Sequence, residues 1–267
     1  MPRVSVIMGA YNCGETVGAA INSIKAQTYK DWECIICDDG SKDDTWEILK
    51  KTVGNDERFI LIKNERNITL GGTLNRCIQM ARGIYLARQD ADDISLPQRL
   101  EKQVLFMDNN PHISVAGTYA ELFDRKGKIW GILKPPLNPE TKDWIKGSCV
   151  IHASTLMRKK DIIEIGLYNP EAIRLEDLDL WLRMVHKGYK IVTIPETLYR
   201  YRLDLSDYKK KKLKYRWNEA KLIYGAFKHL DMSFSDFMYI LKPIFNGIIP
   251  SMALYKYHRY RFRPENI

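Results

Sequence analysis

Cysteine is sparse in this 267-residue chain: there are five, an odd number at no framework density. That excludes a small disulfide-stapled scaffold and points to a reduced, cytosolic protein. Cys34 and Cys37 form a C-x-x-C, but "WECIIC" is an apolar strand pattern, and no second cysteine pair completes a zinc site. No apolar stretch of about 18 uncharged residues occurs, so no spanning helix is expected. "MPRVSVIMGAYN" is a strand-length apolar run followed by turn residues, without the core and cleavage site of a signal peptide. No G-x-G-x-x-G follows the first strand, which disfavours a dinucleotide-binding domain, and no G-x-x-x-x-G-K-[ST] occurs, which excludes a P-loop. Repeats and low-complexity linkers are also missing.

What is present is ordinary globular composition, 45% hydrophobic and 28% charged, enough for one large domain or two small ones. Charge is uneven. From residue 200 onward 15 Lys and Arg face 6 Asp and Glu, so this tail carries the whole formal charge of +9. A basic segment beside a neutral one suits a polyanionic partner, nucleic acid or membrane.

The apolar periodicity alternates. "RVSVIMGA", "WECIIC", "FILIKN" and "GIYLAR" read as buried strands, and the segments between them carry helical spacing, as at Val17, Ala20, Ile21 and Ile24. Strand and helix alternating at this spacing predict an α/β fold with a parallel sheet flanked by helices. A helix is expected from Pro97 to about Asn109, two strands around Arg125–Gly127, another strand in "CVIHASTLMRK", a helix in "EDLDLWLRMVHKGY", and a strand "KIVTI" closing the globular part.

In an open α/β sheet, ligands bind beyond the carboxyl ends of the strands. Three polar sets fall there: Tyr11-Asn12, Asp38-Asp39-Gly40-Ser41 and Asp90-Ala91-Asp92-Asp93. All three are expected on one rim. A D-x-D after a strand turns two carboxylates the same way, a hard-oxygen pair suited to Mn2+ or Mg2+. The plainer reading is that these acids cap the helix beginning near Ser95. The second set has the same two readings: Ser41 or Asp43 as a helix cap, and an acid that accepts from a nucleobase or ribose. Glu176 and Asp177 open an amphipathic helix, where the dipole favours acids anyway. Trp181 one turn on adds an aromatic platform, so that a carboxylate there could deprotonate a sugar hydroxyl.

Together "VSVIMGAYN", "AINSIKAQTYKDWECIICDDGSKDDT", "ARGIYLARQDADDISLPQRL" and "EDLDLWLRM" resemble bacterial glycosyltransferase family 2, over roughly residues 1 to 205. The resemblance implies a GT-A fold: a Rossmann-like, mostly parallel sheet flanked by helices, here with a basic, aromatic helical extension. It divides the chain into 1–100, the nucleotide-sugar half; 101–205, the acceptor-binding and catalytic half; and 206–267, the extension. It implies inverting transfer from a nucleotide-sugar, most often UDP-linked. Ala10, Tyr11, Asp38, Asp39, Asn67, Asp90 and Ala91 then belong to the nucleotide-sugar side. Asp92, with Asp90, holds the metal, Mn2+ or Mg2+. Asp177 is the base, and Glu176, His152 and Trp181 lie on the acceptor side.

Two departures stand out. The family often reads N-x-G-L after the third strand, where "NITL" here puts Thr69 at the glycine. Many members carry Y-R-x-H after the last strand, where "YRYRLDLSD" has no histidine and leaves Arg200, Arg202 or the metal for the pyrophosphate.

The tail contains "KKKKLKYRW", "FMYILKPIFNGIIPSMALY" and "YKYHRYRFR". Basic residues interleaved with aromatics suit an anionic lipid surface, with packing on the catalytic domain second and nucleic acid least favoured. Lys242, Pro243 and Pro250 break the apolar run as a span. The expected setting is cytoplasmic and peripheral, on the inner face of the cytoplasmic membrane. The acceptor would be a lipid-linked or growing oligosaccharide for surface polysaccharide. The rivals are a metal-dependent nucleotidyltransferase, disfavoured because Gly9-Ala10-Tyr11-Asn12 has no cation, and a non-catalytic binding module, which leaves Asp177 without a task.

Overall fold

The computed structural model describes residues 1–209, 213–228, 232–263 and 265. The first part alternates as the periodicity predicts: β1 (Val4–Ala10), α1 (Gly14–Lys25), β2 (Trp32–Asp38), α2 (Thr45–Val53), β3 (Phe59–Lys63), α3 (Thr69–Met80) and β4 (Tyr85–Asp90). A two-residue strand β5 (Ile94–Ser95) and helix α4 (Arg99–Asn109) follow, then β6 (Ile113–Phe123) and β7 (Ile129–Leu133) around a turn at Gly127. After a 3-10 turn at Thr141–Lys146 come β8 (Leu156–Arg158), α5 (Lys159–Glu164), α6 (Glu176–His186) and β9 (Lys190–Arg202). The tail forms α7 (Leu205–Lys209), α8 (Leu213–Phe227), α9 (Phe234–Ile248) and α10 (Ser251–Arg261).

The nine strands make one sheet in the order β3-β2-β1-β4-β8-β6-β9-β5, with β7 on β6. Strands β3, β2, β1 and β4 run parallel, as do β6 and β9, while β5, β7 and β8 pair antiparallel. Side chains alternate across it with period two. Val4, Val6 and Met8 of β1 join α1, α2 and α4 on one face, and Ile7 joins α3, α6 and α8 on the other. Cys34 and Cys37 fall on opposite faces for the same reason, both buried as free thiols.

Three local expectations change. The strand expected in "CVIHASTLMRK" is a 3-10 turn at His152–Ser154 followed by only three residues of β8. "KIVTI" is the start of a 13-residue strand that passes Pro195 and ends at Arg202. There its antiparallel partner is β5, with Ile94 opposite Arg200. The helix after the aspartates starts at Arg99, not near Ser95, and its N-cap Gln98 makes no side-chain cap bond.

The tail packs back on the sheet domain. Ala220, Ile223 and Phe227 of α8 and Ile240 of α9 enter the core beside α6. From α10, Tyr255 meets Trp130 of β7 edge-on, Arg259 lies over the Trp130 ring, and the Phe262 carbonyl accepts from the Ile132 amide at 2.9 Å. Pro243 lies inside α9 without ending it, and Pro250 caps α10. Among the described residues no helix is long and apolar enough to cross a membrane. Lys210–Lys212 of "KKKKLKYRW" lie outside the described residues.

Candidate active site

Parallel pairing brings the three polar sets together. Ala10 is in register with Asp38, and Gly9 with Asp90, so the ends of β1, β2 and β4 form one acidic rim. The loops behind them are stitched to each other. The Asn12 amide donates to Ser41 Oγ at 3.0 Å, and Asn12 Oδ1 accepts from the Lys42 amide at 2.8 Å. Asp43 takes the capping role: its carboxylate accepts from the Thr45 amide at 3.1 Å and the Gly14 amide at 3.2 Å, serving the starts of both α2 and α1. That leaves Asp38 and Asp39 for other work.

Both are buried. Asp38 Oδ1 accepts from the Ser41 amide at 3.0 Å, its other oxygen has no hydrogen-bond partner among the described residues, and Lys63 Nζ lies 3.7 Å away. Asp39 Oδ1 accepts from Asn64 Nδ2 at 2.7 Å and from the Ile68 amide at 2.9 Å. Asn64 was legible as the polar residue closing "FILIKN", yet only the fold makes it the anchor of Asp39. Tyr11 is exposed at the rim, whereas Ala10 and Ala91 are buried, and the Ala10 carbonyl accepts from the Asp39 amide at 2.8 Å. Asn67 is exposed, and its Oδ1 accepts from the Thr69 amide at 3.1 Å. Thr69 has φ of 73°, the left-handed conformation that its family resemblance assigns to glycine.

The β4 cluster is threaded by arginines. Arg88 is fully buried and bonds Asp90 through Nη2. Burial opposes its charge, but Asp90 beside it holds the guanidinium above its ordinary pKa. The two residues are two apart in β4, on one side of the strand, so the period-two rule contains this pairing. Arg202 bonds Asp92 through Nη2 and Asp204 Oδ2 through Nη1 at 3.0 Å. Burial and the neighbouring Asp90 push the Asp92 carboxyl up despite that partner. Asp93 does not cap a helix: it is buried, and its Oδ1 accepts from the Arg202 amide at 2.7 Å, fastening the end of β9 beside β4. Tyr199 of β9 completes the seam, its hydroxyl accepting from the Asp90 amide at 3.2 Å.

Glu176 and Asp177 start α6 without any arginine or lysine bonded to them in the described structure. Burial raises both carboxyls. Glu176 is pushed up to about 7, with the Asp177 charge adding to burial. Asp177 also rises, against the pull of amides in the first helical turn. The charge of Asp90 adds a smaller push to each. The segment leading into α6 is clamped to α3: Asn75 Nδ2 donates to the Tyr168 carbonyl at 2.8 Å, Asn75 Oδ1 accepts from the Tyr168 amide at 3.0 Å, and Thr69 Oγ1 donates to the Pro170 carbonyl at 3.2 Å.

One acceptor-side expectation lands differently. Trp181 is fully buried, its ring edge-on to His152 at 5.7 Å, so it is a core residue and offers no platform to a sugar. Its position on the apolar face of α6 already contained that outcome. His152 shares a 2.7 Å hydrogen bond with the Tyr168 hydroxyl, and burial, with Arg88 nearby, holds its imidazole well below the usual range and neutral.

As donors, Asp90 and Asp92 suit a hard divalent ion that keeps waters and takes phosphate oxygens. Among the described residues no group of three His, Cys, Asp or Glu forms a protein-only cage.

Residues 5–166 match the family model described as glycosyl transferase family 2. The chain belongs to that family. EpsE of Bacillus subtilis, which carries a glycosyltransferase name, is 39% identical over 97% of this chain and 94% of its own length. The UDP-Glc:alpha-D-GlcNAc-diphosphoundecaprenol beta-1,3-glucosyltransferase WfaP of Escherichia coli is 32% identical over 75% of this chain and 78% of its own. Among solved structures, S. aureus TarS 1-349 in complex with UDP-GlcNAc overlays with a TM-score of 0.69 at 18% identity, covering 92% of this chain and 72% of that one. The mannosyltransferase PcManGT from Pyrobaculum calidifontis, with GDP-Man and Mn2+, gives 0.64 at 14% identity, covering 99% and 82%. This glycosyltransferase therefore has the GT-A fold, and its similarity to EpsE extends through α6 and the tail, beyond the family-model match.

Proposed function

We propose that this glycosyltransferase moves a sugar from a UDP-sugar to a hydroxyl of a lipid-linked or growing saccharide in surface-polysaccharide synthesis, by a single inverting displacement. The observation that carries this reading is Asp177: a half-buried carboxylate at the start of α6, raised above its ordinary pKa chiefly by desolvation, with the charges of Glu219 and Asp90 adding to it. A carboxylate whose ionised form is destabilised by burial is a stronger base than one in water.

On the donor side, Asp39 is held by Asn64 and Ile68 and presents its carboxylate to base and ribose, with Tyr11 exposed beside it. Asp38, Asn67, Asp90, Ala10 and Ala91 complete the nucleotide-sugar side. Asp92 with Asp90 would hold Mn2+ or Mg2+, which when bound offsets the charge growing on the leaving diphosphate. Arg202 must then release Asp92, and its guanidinium stays at that end of the site.

Asp177 takes the proton of the acceptor hydroxyl as that oxygen bonds to the anomeric carbon. The bond from that carbon to the diphosphate oxygen breaks, and its electron pair leaves with UDP. Attack opposite the leaving group inverts the centre and needs no covalent intermediate. Glu176 is the neighbouring acid, and neutral His152 fixes Tyr168 behind it.

The UDP assignment is supported by the donor in the WfaP name and the ligand of the TarS structure, and the lipid-linked acceptor by the WfaP name. A lipid-linked acceptor brings the enzyme to the inner face of the cytoplasmic membrane as a peripheral protein. Thermal shift with UDP, GDP and CDP, each with and without Mn2+, tests the donor side: a metal-dependent shift is expected with UDP, and a larger one with GDP overturns the assignment.

A further inference from the structure

Helix α9 divides cleanly into two faces. Ile240 and Pro243 are buried on α8 and the 3-10 turn at Thr141–Lys146. Away from them Phe234, Leu241, Phe245 and Ile248 run along one side of the helix, and Phe237 borders that stripe where it meets Tyr224 of α8. All five are exposed, Phe234 by 82% and Ile248 by 69%. The stripe is about 21 Å long at 1.5 Å per residue. A patch of this length is far larger than the single exposed apolar residues that a soluble surface tolerates.

The charge beside it is mostly basic. Lys242 flanks the stripe and lies 5.9 Å from the Tyr239 ring, and Lys146, paired with Asp143, lies 6.0 Å from the same ring. Lys214 and Lys221 are exposed on α8. The acid of α9, Asp236, is occupied by the capping box with Ser233. The tail as a whole carries the net +9 of the chain.

The stripe also has a defined relation to the base. Helices α8 and α9 are antiparallel: Tyr224 and Phe237 meet at one end, and at the other the backbone of Gly247 lies against Leu213 and Arg216. That second end is the active-site end. Arg174, just before α6, lies over the Tyr215 ring at 5.5 Å, and the Glu219 charge reaches Asp177. Exposed Trp217 stands at the same end of α8, on the side turned away from Tyr215 and Glu219.

We infer that the outer face of α9 lies in the headgroup boundary of an anionic bilayer, and that this docking sets the mouth beside Asp177 at the level of the lipid headgroups, with Trp217 at the interface. An amphipathic helix with aromatics on one face and lysines at its edge binds such a surface by apolar burial plus attraction to acidic lipid. This orientation rests on the lipid-linked acceptor reading for its purpose, but not for its test.

The full chain is floated with vesicles of phosphatidylcholine containing phosphatidylglycerol. The wild type is expected to float, and the variant Leu241→Glu/Phe245→Glu/Ile248→Glu to bind at least tenfold more weakly while keeping its Tm and its transfer to a water-soluble acceptor. Leu105→Glu, at an exposed apolar position on α4 away from the stripe, is expected to bind as the wild type does. Brominated lipid should quench tryptophan emission in the wild type, and Trp217→Phe should lose most of that quenching. A wild type that does not float, or a triple variant that floats as well, overturns the assignment. So does a dimer in sedimentation velocity that the triple variant dissociates, since the stripe is then covered by a second copy. Quenching unchanged in Trp217→Phe overturns the orientation. A chain that floats as expected but does not glycosylate a lipid-linked saccharide leaves the surface standing and refutes the acceptor reading instead.

Discussion

Asp90 and Asp92 each lie against a guanidinium, whereas Glu176 and Asp177 have amides of a helix start and, for Glu176, only the more distant charge of Arg88. The residue types are the same, and the counter-charge decides the chemistry. At the end of β4, Arg88 and Arg202 offset a dense negative cluster, and on the proposed reading Arg202 is the partner that a cation at Asp92 would displace. At the start of α6 no guanidinium or ammonium is bonded to the pair, and the carboxyls rise. On the proposed reading one cluster receives positive charge and the other a proton.

The largest expected break in this comparison is Asp177→Asn. The amide keeps the shape and loses the base, so transfer should fall by about 10²–10⁴-fold while the affinity for UDP in calorimetry stays unchanged. Retained turnover would sink the base assignment. Asp92→Asn should act on the other side: nucleotide binding loses its Mn2+ dependence, and turnover falls by about 10²–10³-fold, the usual scale for removing one preorganised electrostatic group. If Mn2+ still tightens UDP binding in that variant, the cation sits elsewhere.

The proton side has a pH signature. The raised Asp177 must be ionised to act, so kcat/KM should climb with pH through a midpoint above the ordinary carboxylate range, and Asp177→Glu should move that midpoint. Stability shows the same burial with the opposite sense. Glu176 titrates near 7 folded and near 4.5 unfolded, so the folded state binds more protons between those values. Its contribution is therefore lost as pH rises through that window. Glu176→Gln should stabilise the protein at pH 8 by about 1–3 kcal/mol and leave it unchanged at pH 4, read from urea midpoints.

The smallest effect is expected at Thr69. Its left-handed backbone is strained for a β-branched residue, and its bond to the Pro170 carbonyl is exposed. Thr69→Gly should gain up to about 1 kcal/mol in the same measurement. A loss would mean that the clamp between α3 and the segment before α6 outweighs the strain.

Much of the site was legible because it depends on short-range rules. Apolar runs ended at Ala10, Asp38 and Asp90, and a parallel sheet must bring such ends together. Asp43 was a cap candidate from its place before Thr45. The misplacements come from longer range. Asp93 was read as local turn chemistry, yet its partner is the Arg202 amide, 109 residues on. Trp181 was read for its distance from Asp177, although a one-turn separation on an apolar helical face also fits a core position. The strand of "KIVTI" was stopped at a proline that the structure carries inside β9, where the pairing with β6 shifts register between Thr118 and Tyr119.

The sequence by itself determined the acidic rim, the helix that carries Asp177 and the basic sign of the tail, because strand alternation, helical spacing and net charge are properties of neighbours along the chain. Only the tertiary structure decided that Arg202 partners Asp92, that Trp181 is sealed in the core, and that α8 and α9 pack on α6 while α9 leaves an apolar stripe outside. Each of those depends on which distant segments share a surface. Counter-charge and burial, unlike periodicity, are set across space.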